Sequence, residues 1–96
     1  MTKNELILKL INVKDELKQQ FGINEIALFG SYARDEANEE SDVDIAIIKI
    51  NKKDFLKRLQ AKEFLEKKLN KKVDIGYLDS MKTFIKNRIK KDLIYV

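Results

Sequence analysis

Two aspartates spaced two residues apart, Asp42 and Asp44, stand at the beginning of an apolar segment that ends at Ile48. An apolar run of this kind predicts a β-strand, in which side chains at positions i and i+2 point to the same side of the sheet. Two carboxylates aimed together repel each other unless a cation lies between them. Mg²⁺ takes oxygen ligands and usually joins one or two carboxylates to substrate phosphates. The pair therefore predicts a site for a divalent cation.

A Gly-Ser dipeptide, Gly30-Ser31, precedes this pair by ten intervening residues. It follows a short apolar stretch, Ile26 to Phe29, and so predicts a turn that leads from a strand into a helix. Such a turn presents backbone N–H groups and a hydroxyl to phosphate oxygens. Together with the Asp-x-Asp pair, it predicts a binding site for a metal–nucleotide complex.

A third carboxylate, Asp74, interrupts an otherwise apolar segment further along the chain. An isolated carboxylate inside a strand is uncommon unless it has a function or a partner. If this strand lies beside the strand of Asp44, the small residues Ala46 and Gly76 leave room above the carboxylates. Three carboxylates around one or two Mg²⁺ ions suit phosphoryl or nucleotidyl transfer, which depends on charge neutralisation and in-line positioning. One of them could also accept the proton of an attacking hydroxyl.

Each of these features also has an ordinary structural explanation. An Asp-x-Asp pair at a strand start is usually a turn cap or a surface feature, and a Gly-Ser dipeptide is usually a simple turn. A single strand aspartate such as Asp74 is often an edge residue or part of an ion pair. The functional interpretation is favoured by their order along the chain, which is strand, Gly-Ser, helix, Ser-Asp-x-Asp, strand and a third Asp one helix later.

The composition excludes several kinds of chemistry. The chain has 96 residues, no Cys and no His, which excludes disulfides, Ser-His-Asp or Cys-His catalysis and any His-ligated metal. This length corresponds to a single domain, residues 1–96, with a thin core to which a partner surface could add stability. No apolar run is long enough to span a membrane, and the N-terminus leads into an amphipathic helix instead of a signal peptide. We therefore expect a cytoplasmic protein with no membrane partner.

The net charge of +4 conceals an uneven distribution. Residues 1–48 carry five basic and ten acidic side chains, whereas residues 49–72 carry ten basic and three acidic ones. The acidic half contains the predicted metal site. The basic segment could face nucleic acid, ATP phosphates or an acidic partner, although a solvated helix face is the simpler explanation.

The apolar periodicity predicts the order α-β-α-β-α-β-α, and hence an α/β (α+β) fold with three or four strands in a mixed sheet flanked by helices. The first helix is predicted to begin with a capping box of Thr2 and Glu5 and to end at Gly22. Strands are predicted over residues 25–29, 43–50 and 72–78, and one or two turns of helix over residues 31–37.

The later helices carry predicted inner faces as well. The helix after the second strand is predicted to begin near Asp54 and to end at Asn70. Its inner face is predicted to consist of Phe55, Leu59, Leu65 and Leu69, with Leu56 and Phe64 beside it. Ser80 is predicted to cap a last helix with the inner face Phe84, Ile85, Arg88 and Ile89. The apolar end, residues 93–96, is expected to form an edge strand or to pack as a tail.

With these residues the chain resembles the minimal nucleotidyltransferases of the DNA polymerase beta-like superfamily, which share the nucleotidyltransferase fold. Their pattern is Gly-Ser, about ten residues, Asp-x-Asp and a third Asp on the next strand. The similarity covers nearly the whole chain, and the flanking segments 31–34 and 41–42 strengthen it. The resemblance implies that Asp42 and Asp44 bind Mg²⁺, with two ions expected. It also implies that Asp74 completes the metal site and helps to deprotonate an acceptor hydroxyl.

The same resemblance implies a nucleotide site. Gly30 and Ser31 would hold the triphosphate of ATP, and Ser41 would belong to the same site. Arg34 would either reach a phosphate or pair with the acidic loop that follows it. One departure from the family pattern is Asp35, where many members have Gly, because it adds negative charge near the phosphates and makes the turn less permissive.

The resemblance further implies a partner. Larger relatives carry an additional domain that holds the acceptor, and we expect none in this short chain. Minimal nucleotidyltransferases are commonly paired with a small all-helical protein of the HEPN type. Some act as antitoxins that transfer AMP from ATP to a tyrosine hydroxyl on a HEPN ribonuclease toxin. An Mg²⁺-dependent antitoxin of this kind, in a hetero-oligomer with its toxin and without nucleic acid as a direct substrate, is the leading hypothesis.

Two alternatives come from other functional classes. The protein could be a binding module that masks the active site of a toxin and keeps only a vestigial nucleotide site. It could instead modify a small molecule, as an aminoglycoside nucleotidyltransferase completed by a helical partner chain.

Overall fold

The computed structural model describes all residues from Met1 to Val96. It contains the helices α1 (Lys3–Phe21), α2 (Gly30–Ala33), α3 (Phe55–Leu69) and α4 (Thr83–Lys90), and the strands β1 (Ile23–Phe29), β2 (Val43–Ile50), β3 (Val73–Tyr77) and β4 (Ile94–Tyr95). A 3₁₀ turn, Leu78–Ser80, follows β3. The strands form one sheet in the order β3-β2-β1-β4, in which β3 runs parallel to β2 and the other pairs are antiparallel. The predicted mixed sheet flanked by helices is therefore confirmed, with β4 as its fourth strand.

The first helix has the ends that the sequence predicts. The Thr2 hydroxyl accepts a hydrogen bond from the backbone N–H of Glu5 at 3.1 Å, and the Glu5 carboxylate accepts one from the N–H of Thr2 at 3.4 Å. At the other end Gly22 adopts a left-handed conformation with φ 67°. The predicted inner residues are all buried, namely Leu6, Leu10, Val13, Leu17 and Phe21. The helix therefore contributes one continuous apolar stripe to the core.

Strand β2 lies in the middle of the structure. Its alternate residues Val43, Ile45 and Ile47 are buried in a cluster of 17 residues that also includes the inner faces of α1 and α3. The residues between them, Asp44 and Ala46, point to the opposite side of the sheet. One side of the sheet is therefore fixed by the core, and the other side presents the carboxylates.

The predicted inner face of α3 is wrong in its first half. Phe55 is 71% exposed and Leu59 is 41% exposed, whereas Ala61, Leu65 and Leu69 are buried. Leu59 and Leu65 are six positions apart, which separates them by about 120° around a helix of 3.6 residues per turn. They cannot both face the core, and the regular spacing of positions 61, 65 and 69 determines the buried stripe.

The end of the chain also differs from its prediction. Ser80 lies in the 3₁₀ turn, and α4 begins after Lys82 without a side-chain cap. No residue of α4 is buried, and Phe84 is 69% exposed. The predicted inner face of the last helix is therefore wrong, because no layer covers it. The edge-strand alternative for the tail is confirmed, since Ile94 pairs with Leu28 of β1.

Three elements differ in length from their predictions. Strand β3 (Val73–Tyr77) is one residue shorter at each end than the predicted residues 72–78. Strand β1 begins at Ile23, before the predicted residue 25, and continues the chain directly after the Gly22 cap of α1. Helix α2 covers Gly30–Ala33 only, instead of residues 31–37. It ends there because Asp35 takes a left-handed conformation with φ 60°, which stops a right-handed helix.

Candidate active site

The sheet register aligns two of the predicted carboxylates. Asp44 on β2 pairs with Asp74 on the parallel strand β3, and Phe29 at the end of β1 pairs with Asp44 from the other side. Paired residues of neighbouring strands point to the same side and lie about 5 Å apart. Asp42 comes immediately before β2 and is exposed to solvent. The order across the sheet is therefore the end of β1, then Asp44, then Asp74 at the edge strand.

Gly30 brings the Gly-Ser turn into direct contact with the carboxylates. It has φ 77°, and a Cβ atom placed on it would approach the Asp44 carboxylate carbon to 2.9 Å and overlap one of its oxygens. Only glycine therefore allows the turn to lie against this carboxylate, for reasons of both space and backbone conformation. The two sequence motifs, which are separated along the chain, form one site.

Asp44 has the electrostatics of a crowded anionic site. Its partial burial raises the pKa of its carboxyl group, and the negative charges of Asp74 and Asp42 raise this pKa further, while Arg34 acts in the opposite direction. Burial disfavours the charged form, and so do neighbouring like charges. A cation at this position would remove both penalties, which is the electrostatic property expected of a metal ligand.

The three carboxylates offer the oxygen ligands that Mg²⁺ prefers, but they do not surround a metal position completely. Nowhere in the structure do three or more His, Cys, Asp or Glu side chains converge as a ready-made metal-binding group. Mg²⁺ does not require such a cage, because it commonly takes one or two carboxylates and completes its shell with water and substrate phosphates. Asp44 and its neighbours Asp42 and Asp74 carry the carboxylate oxygens that this mode requires. Their roles as metal ligands stay predictions.

Ser31 lies in the first turn of α2, directly after Gly30. Helix α2 is held in place by Tyr32 and Ala33, which are both buried. The first N–H groups of a helix have no partner within it, so those of the turn can bind an anion. With only four residues, α2 contributes little helix dipole, and the N–H groups and the Ser31 hydroxyl remain as the possible phosphate ligands.

Arg34 pairs with acidic residues on two sides. Its Nε donates to Glu36 at 3.1 Å, and its Nη1 donates to Asp92 at 2.9 Å. These hydrogen bonds raise the pKa of the Arg34 guanidinium above its usual value. Of the two roles left open for this residue, the structure contains the pairing with the acidic loop, and it adds a link to the segment before β4. A phosphate contact would require Arg34 to leave these partners, so that role stays a prediction.

Ser41 is engaged within its own loop. Its hydroxyl accepts a hydrogen bond from the backbone N–H of Asn38 at 2.9 Å, which closes the loop before Asp42. Its role in nucleotide binding therefore stays a prediction, and its observed role is to shape the entry to β2.

A polar cavity of about 310 Å³ lies beside Asp42. Sequence reasoning missed two of its basic residues, Lys71 and Lys72, although they stand at the end of the basic segment and immediately before β3. Lys71 is fixed by a hydrogen bond from its Nζ to the backbone oxygen of Glu39 at 2.8 Å. The cavity contains no apolar lining residue, and its lining also includes the carboxylates of Glu39, Glu40 and Asp42, so it is polar with charges of both signs.

A second cavity, of about 360 Å³, lies beside Asp74. Its lining combines apolar and basic side chains and includes Phe55, Arg58, Leu59, Lys62 and Met81. Sequence reasoning missed this cavity because it assigned Phe55 and Leu59 to the core. The signal was present as an inconsistent helical spacing between positions 59 and 65. Two differently lined cavities therefore adjoin the carboxylates, one at Asp42 and one at Asp74.

A mixed sheet with a Gly-Ser turn packed against an Asp-x-Asp pair and a third Asp on the adjacent parallel strand defines a nucleotidyltransferase. Residues 10–96 match the nucleotidyltransferase domain family, and the chain belongs to this family. It is also similar to the protein adenylyltransferase MntA of Thermococcus cleftensis, with 38% identity over 96 residues, which cover 100% of this chain and 97% of the relative.

Solved structures share the fold. One that is named as a minimal nucleotidyltransferase superposes with a TM-score of 0.81 at 24% identity and covers 98% of this chain and 95% of its own. A toxin–antitoxin structure with AMP-PNP has a TM-score of 0.75 at 25% identity and covers 99% of this chain and 72% of the other. None of the four helices combines the length and the apolar character that a membrane span requires.

Proposed function

We propose that this protein transfers AMP from ATP to a hydroxyl group, most simply that of a tyrosine, on a HEPN-type toxin and thereby acts as an antitoxin. The observation that carries the proposal is the alignment of Asp44 with Asp74 on one side and with Gly30 on the other. Support comes from the similarity to a protein adenylyltransferase over the whole chain and from the likeness to a toxin–antitoxin structure with AMP-PNP. The proposed partner is a small helical protein, bound in a hetero-oligomer.

Each motif has a role in this reaction. Gly30 and Ser31 hold the triphosphate, and Asp42 and Asp44 hold Mg²⁺, which supplies charge neutralisation at the phosphates. The acceptor oxygen forms a bond to the α-phosphorus while the bond from that phosphorus to the bridging oxygen breaks, and pyrophosphate leaves. The Asp74 carboxylate accepts the proton of the acceptor hydroxyl.

The positions across the sheet support this division of roles. The Gly-Ser turn touches Asp44, so the triphosphate lies on the β1 side of that carboxylate. Asp74 lies on the other side, at the edge of the sheet. An in-line displacement needs the nucleophile and the leaving group on opposite sides of the phosphorus, and the order Gly30, Asp44, Asp74 across the sheet supports the assignment of these two sides.

The test is incubation with labelled ATP, Mg²⁺ and the protein encoded beside this one, followed by intact mass measurement of both chains. We expect an AMP adduct on the partner that depends on Asp44. The matched control is Asp15→Asn, which removes an exposed carboxylate of α1 far from the site in sequence and should leave transfer unchanged. If the partner acquires no AMP, and a variant with both Asp42 and Asp44 replaced still suppresses its toxicity, the protein is a masking module. If only a small-molecule acceptor is modified, the aminoglycoside-type alternative is correct.

A further inference from the structure

We infer that the cavity beside Asp74 is the acceptor pocket, and that it takes the phenolic side chain of a protein segment with acidic flanking residues. This inference rests on the proposed function and names the surface that recognises its acceptor. The residues that carry it are Phe55, Leu59 and Met81, which form apolar walls, and Arg58 and Lys62, which supply positive charge. None of them belongs to the Gly-Ser or Asp-x-Asp motif.

The pocket lies on the side from which an acceptor must approach. Asp44 contacts the Gly-Ser turn, and Asp74 is its neighbour on the edge strand β3. The pocket is lined by Ile75 and Gly76 of the same strand and also by Phe29 at the end of β1, so it is not confined to the edge strand. Asp74 belongs to its lining and Asp44 does not, so a group bound there has direct access to the Asp74 carboxylate. A hydroxyl in the pocket would therefore lie beside the proposed proton acceptor.

The walls of the pocket fit a flat organic side chain. Phe55 is 71% exposed and Leu59 is 41% exposed, although both are large apolar residues in the first half of α3. A Cβ atom at Gly76 would meet only Met81 Cε, at 3.7 Å, so the floor of the pocket is open backbone. The volume of about 360 Å³ lies in the range of small-ligand sites and exceeds the space that one aromatic ring fills. The remainder can hold residues that flank the ring.

The charges of the pocket indicate the chemistry of those flanking residues. None of the ion pairs in the structure involves Arg58 or Lys62. The Arg58 guanidinium instead stacks over the rings of Phe55 at 5.5 Å and Tyr77 at 5.3 Å. By contrast, the nearby Lys53 already donates to Asp79 at 2.8 Å. Two cations without carboxylate partners, next to exposed apolar surface, fit a segment that combines an aromatic ring with Glu or Asp.

The other organic group that the pocket could take is the adenine ring of ATP. In the proposed function the triphosphate of ATP lies at the Gly-Ser turn, and adenine itself carries no negative charge. Adenine in this pocket would therefore leave Arg58 and Lys62 without partners, and it needs no access to a proton acceptor. The two occupants are separated by amide NMR spectra of the isotope-labelled protein during titration. One probe is a short soluble peptide with a single Tyr between Glu residues, and the other probe is adenosine. The control peptides carry Ala in place of Tyr, or Lys in place of Glu.

We expect the Tyr-Glu peptide to shift the amide signals of residues 55–62 and 74–81, and both control peptides to shift them much less. Leu59→Asp should weaken this binding by about tenfold, as expected for loss of a central apolar contact. The matched variant Leu8→Asp, at a residue that is 61% exposed on α1, should leave it unchanged. The inference is overturned if adenosine shifts these signals and the peptide does not, or if Leu59→Asp and Leu8→Asp bind the peptide equally.

A kinetic measurement separates this inference from the proposed function. With the partner protein as acceptor, Leu59→Asp and Arg58→Glu should lower kcat/KM for the acceptor by about tenfold or more and change KM for ATP by less than about twofold. Unchanged acceptor kinetics would refute the pocket and leave AMP transfer intact. Absence of any AMP transfer by the unchanged protein would refute the proposed function, and the peptide titration would still decide what the pocket binds.

Discussion

The two cavities beside the carboxylates have similar volumes, about 310 and 360 Å³, and opposite linings. The cavity next to Asp42 has no apolar lining residue, whereas five of the nine residues that line the cavity next to Asp74 are hydrophobic. A phosphate group would lose hydration against apolar walls, and an aromatic ring would gain nothing from a fully polar cavity. The two cavities therefore suit different chemical groups, polar ones beside Asp42 and an organic ring beside Asp74.

The basic residues of the two cavities differ in the same way. Lys71, beside the polar cavity, is already fixed by a backbone oxygen of the acidic loop. Arg58, beside the apolar cavity, lies over two aromatic rings and forms no ion pair, so it stays available to a carboxylate from another chain. The basic segment of residues 49–72 is therefore not one uniform solvated surface. Lys71 and Lys72 at its end line the polar cavity, whereas Arg58 and Lys62 in α3 line the apolar one.

The largest expected effect comes from the pair Asp44→Asn and Asp74→Asn. Asp44→Asn should lower AMP transfer by about 10³-fold or more and remove the stabilisation of the protein by Mg²⁺-ATP, because the central metal ligand is lost. Asp74→Asn should lower turnover by about 10²–10⁴-fold, the usual contribution of a general base, and leave Mg²⁺-ATP stabilisation in place. Turnover assays and thermal melts with and without Mg²⁺-ATP measure both quantities. Equal loss of ATP stabilisation in the two variants would contradict the division between a nucleotide side and an acceptor side.

The same Asp44 variant has a pH-dependent effect on the metal-free protein. Folding raises the pKa of Asp44 above its ordinary value of 3.8. The ionised carboxylate therefore destabilises the folded state relative to the unfolded state. Below pH 3.8 the penalty is absent, and it appears as the pH rises through the folded-state pKa. Asp44→Asn should therefore melt at the same temperature as the parent in acid and at a higher one near pH 7. The gain should stay below about 4 °C, because solvent screens a partly exposed group.

The second pair, Gly30→Ala and Gly76→Ala, tests which side of the site is packed. Alanine at position 30 must adopt φ 77° and displace the Asp44 carboxylate. We therefore expect the free energy of unfolding to fall by about 2 kcal/mol or more. We also expect Mg²⁺-ATP to stabilise this variant no longer. Alanine at position 76 meets only Met81 Cε at 3.7 Å, and its stability should change by less than about 0.5 kcal/mol. Denaturant unfolding curves give both values. A Gly30→Ala protein as stable and as responsive to ATP as the parent would show that the turn does not depend on this contact.

The third pair, Lys72→Glu and Lys62→Glu, applies the same charge reversal to the two cavities. Lys72→Glu should raise KM for ATP by about three- to tenfold, and Lys62→Glu should raise KM for the acceptor by a similar factor, because each reversal repels one substrate. Neither residue forms an ion pair in the structure, so the fold should tolerate both changes. Steady-state kinetics with each substrate varied in turn make the measurement. If both variants changed the same KM, the two cavities would serve one substrate.

Sequence patterns predicted the parts of this site that follow from strand geometry. The alternation of β2 places Asp44 away from the core, and the parallel neighbour β3 then places Asp74 beside it. The contact between Gly30 and Asp44 was not predictable in the same way, because it depends on how the turn after β1 is oriented over β2. Such contacts join residues that lie far apart in the sequence, and the periodicity of a single helix or strand does not predict them.

The exposed first half of α3 shows a second limit. Periodicity indicates which residues share a helix face, but it does not state whether another layer covers that face. Leu59 lies about 120° around α3 from Leu65, and only the face of Leu65 and Leu69 meets the core, while Phe55 stands in the first turn and is exposed. The same applies to α4, where Phe84 lies on a face that nothing in the chain covers. The prediction that these large apolar residues are buried was therefore wrong, because the fold leaves them exposed, where a ligand or partner can contact them.

The smallest expected effect concerns Asp35, where the chain departs from the family pattern. Its φ of 60° explains why Gly is common at this position, since glycine adopts left-handed conformations without a steric cost. Asp35→Gly should raise stability by up to about 1 kcal/mol, because the relief of backbone strain is partly offset by the flexibility of glycine in the unfolded chain. It should also tighten ATP binding by about two- to threefold, because it removes a negative charge near the phosphate site.

The variant Asp35→Asn separates these two effects. It removes the same charge and keeps a residue that tolerates the left-handed conformation, so it should reproduce the tighter ATP binding without the full gain in stability. Thermal melts and ATP titrations of the two variants and the parent give the comparison. Tighter binding in Asp35→Gly alone would mean that the shape of the turn controls the phosphate site. Tighter binding in both variants would mean that the charge of Asp35 lowers affinity on the nucleotide side, which has no counterpart on the basic acceptor side.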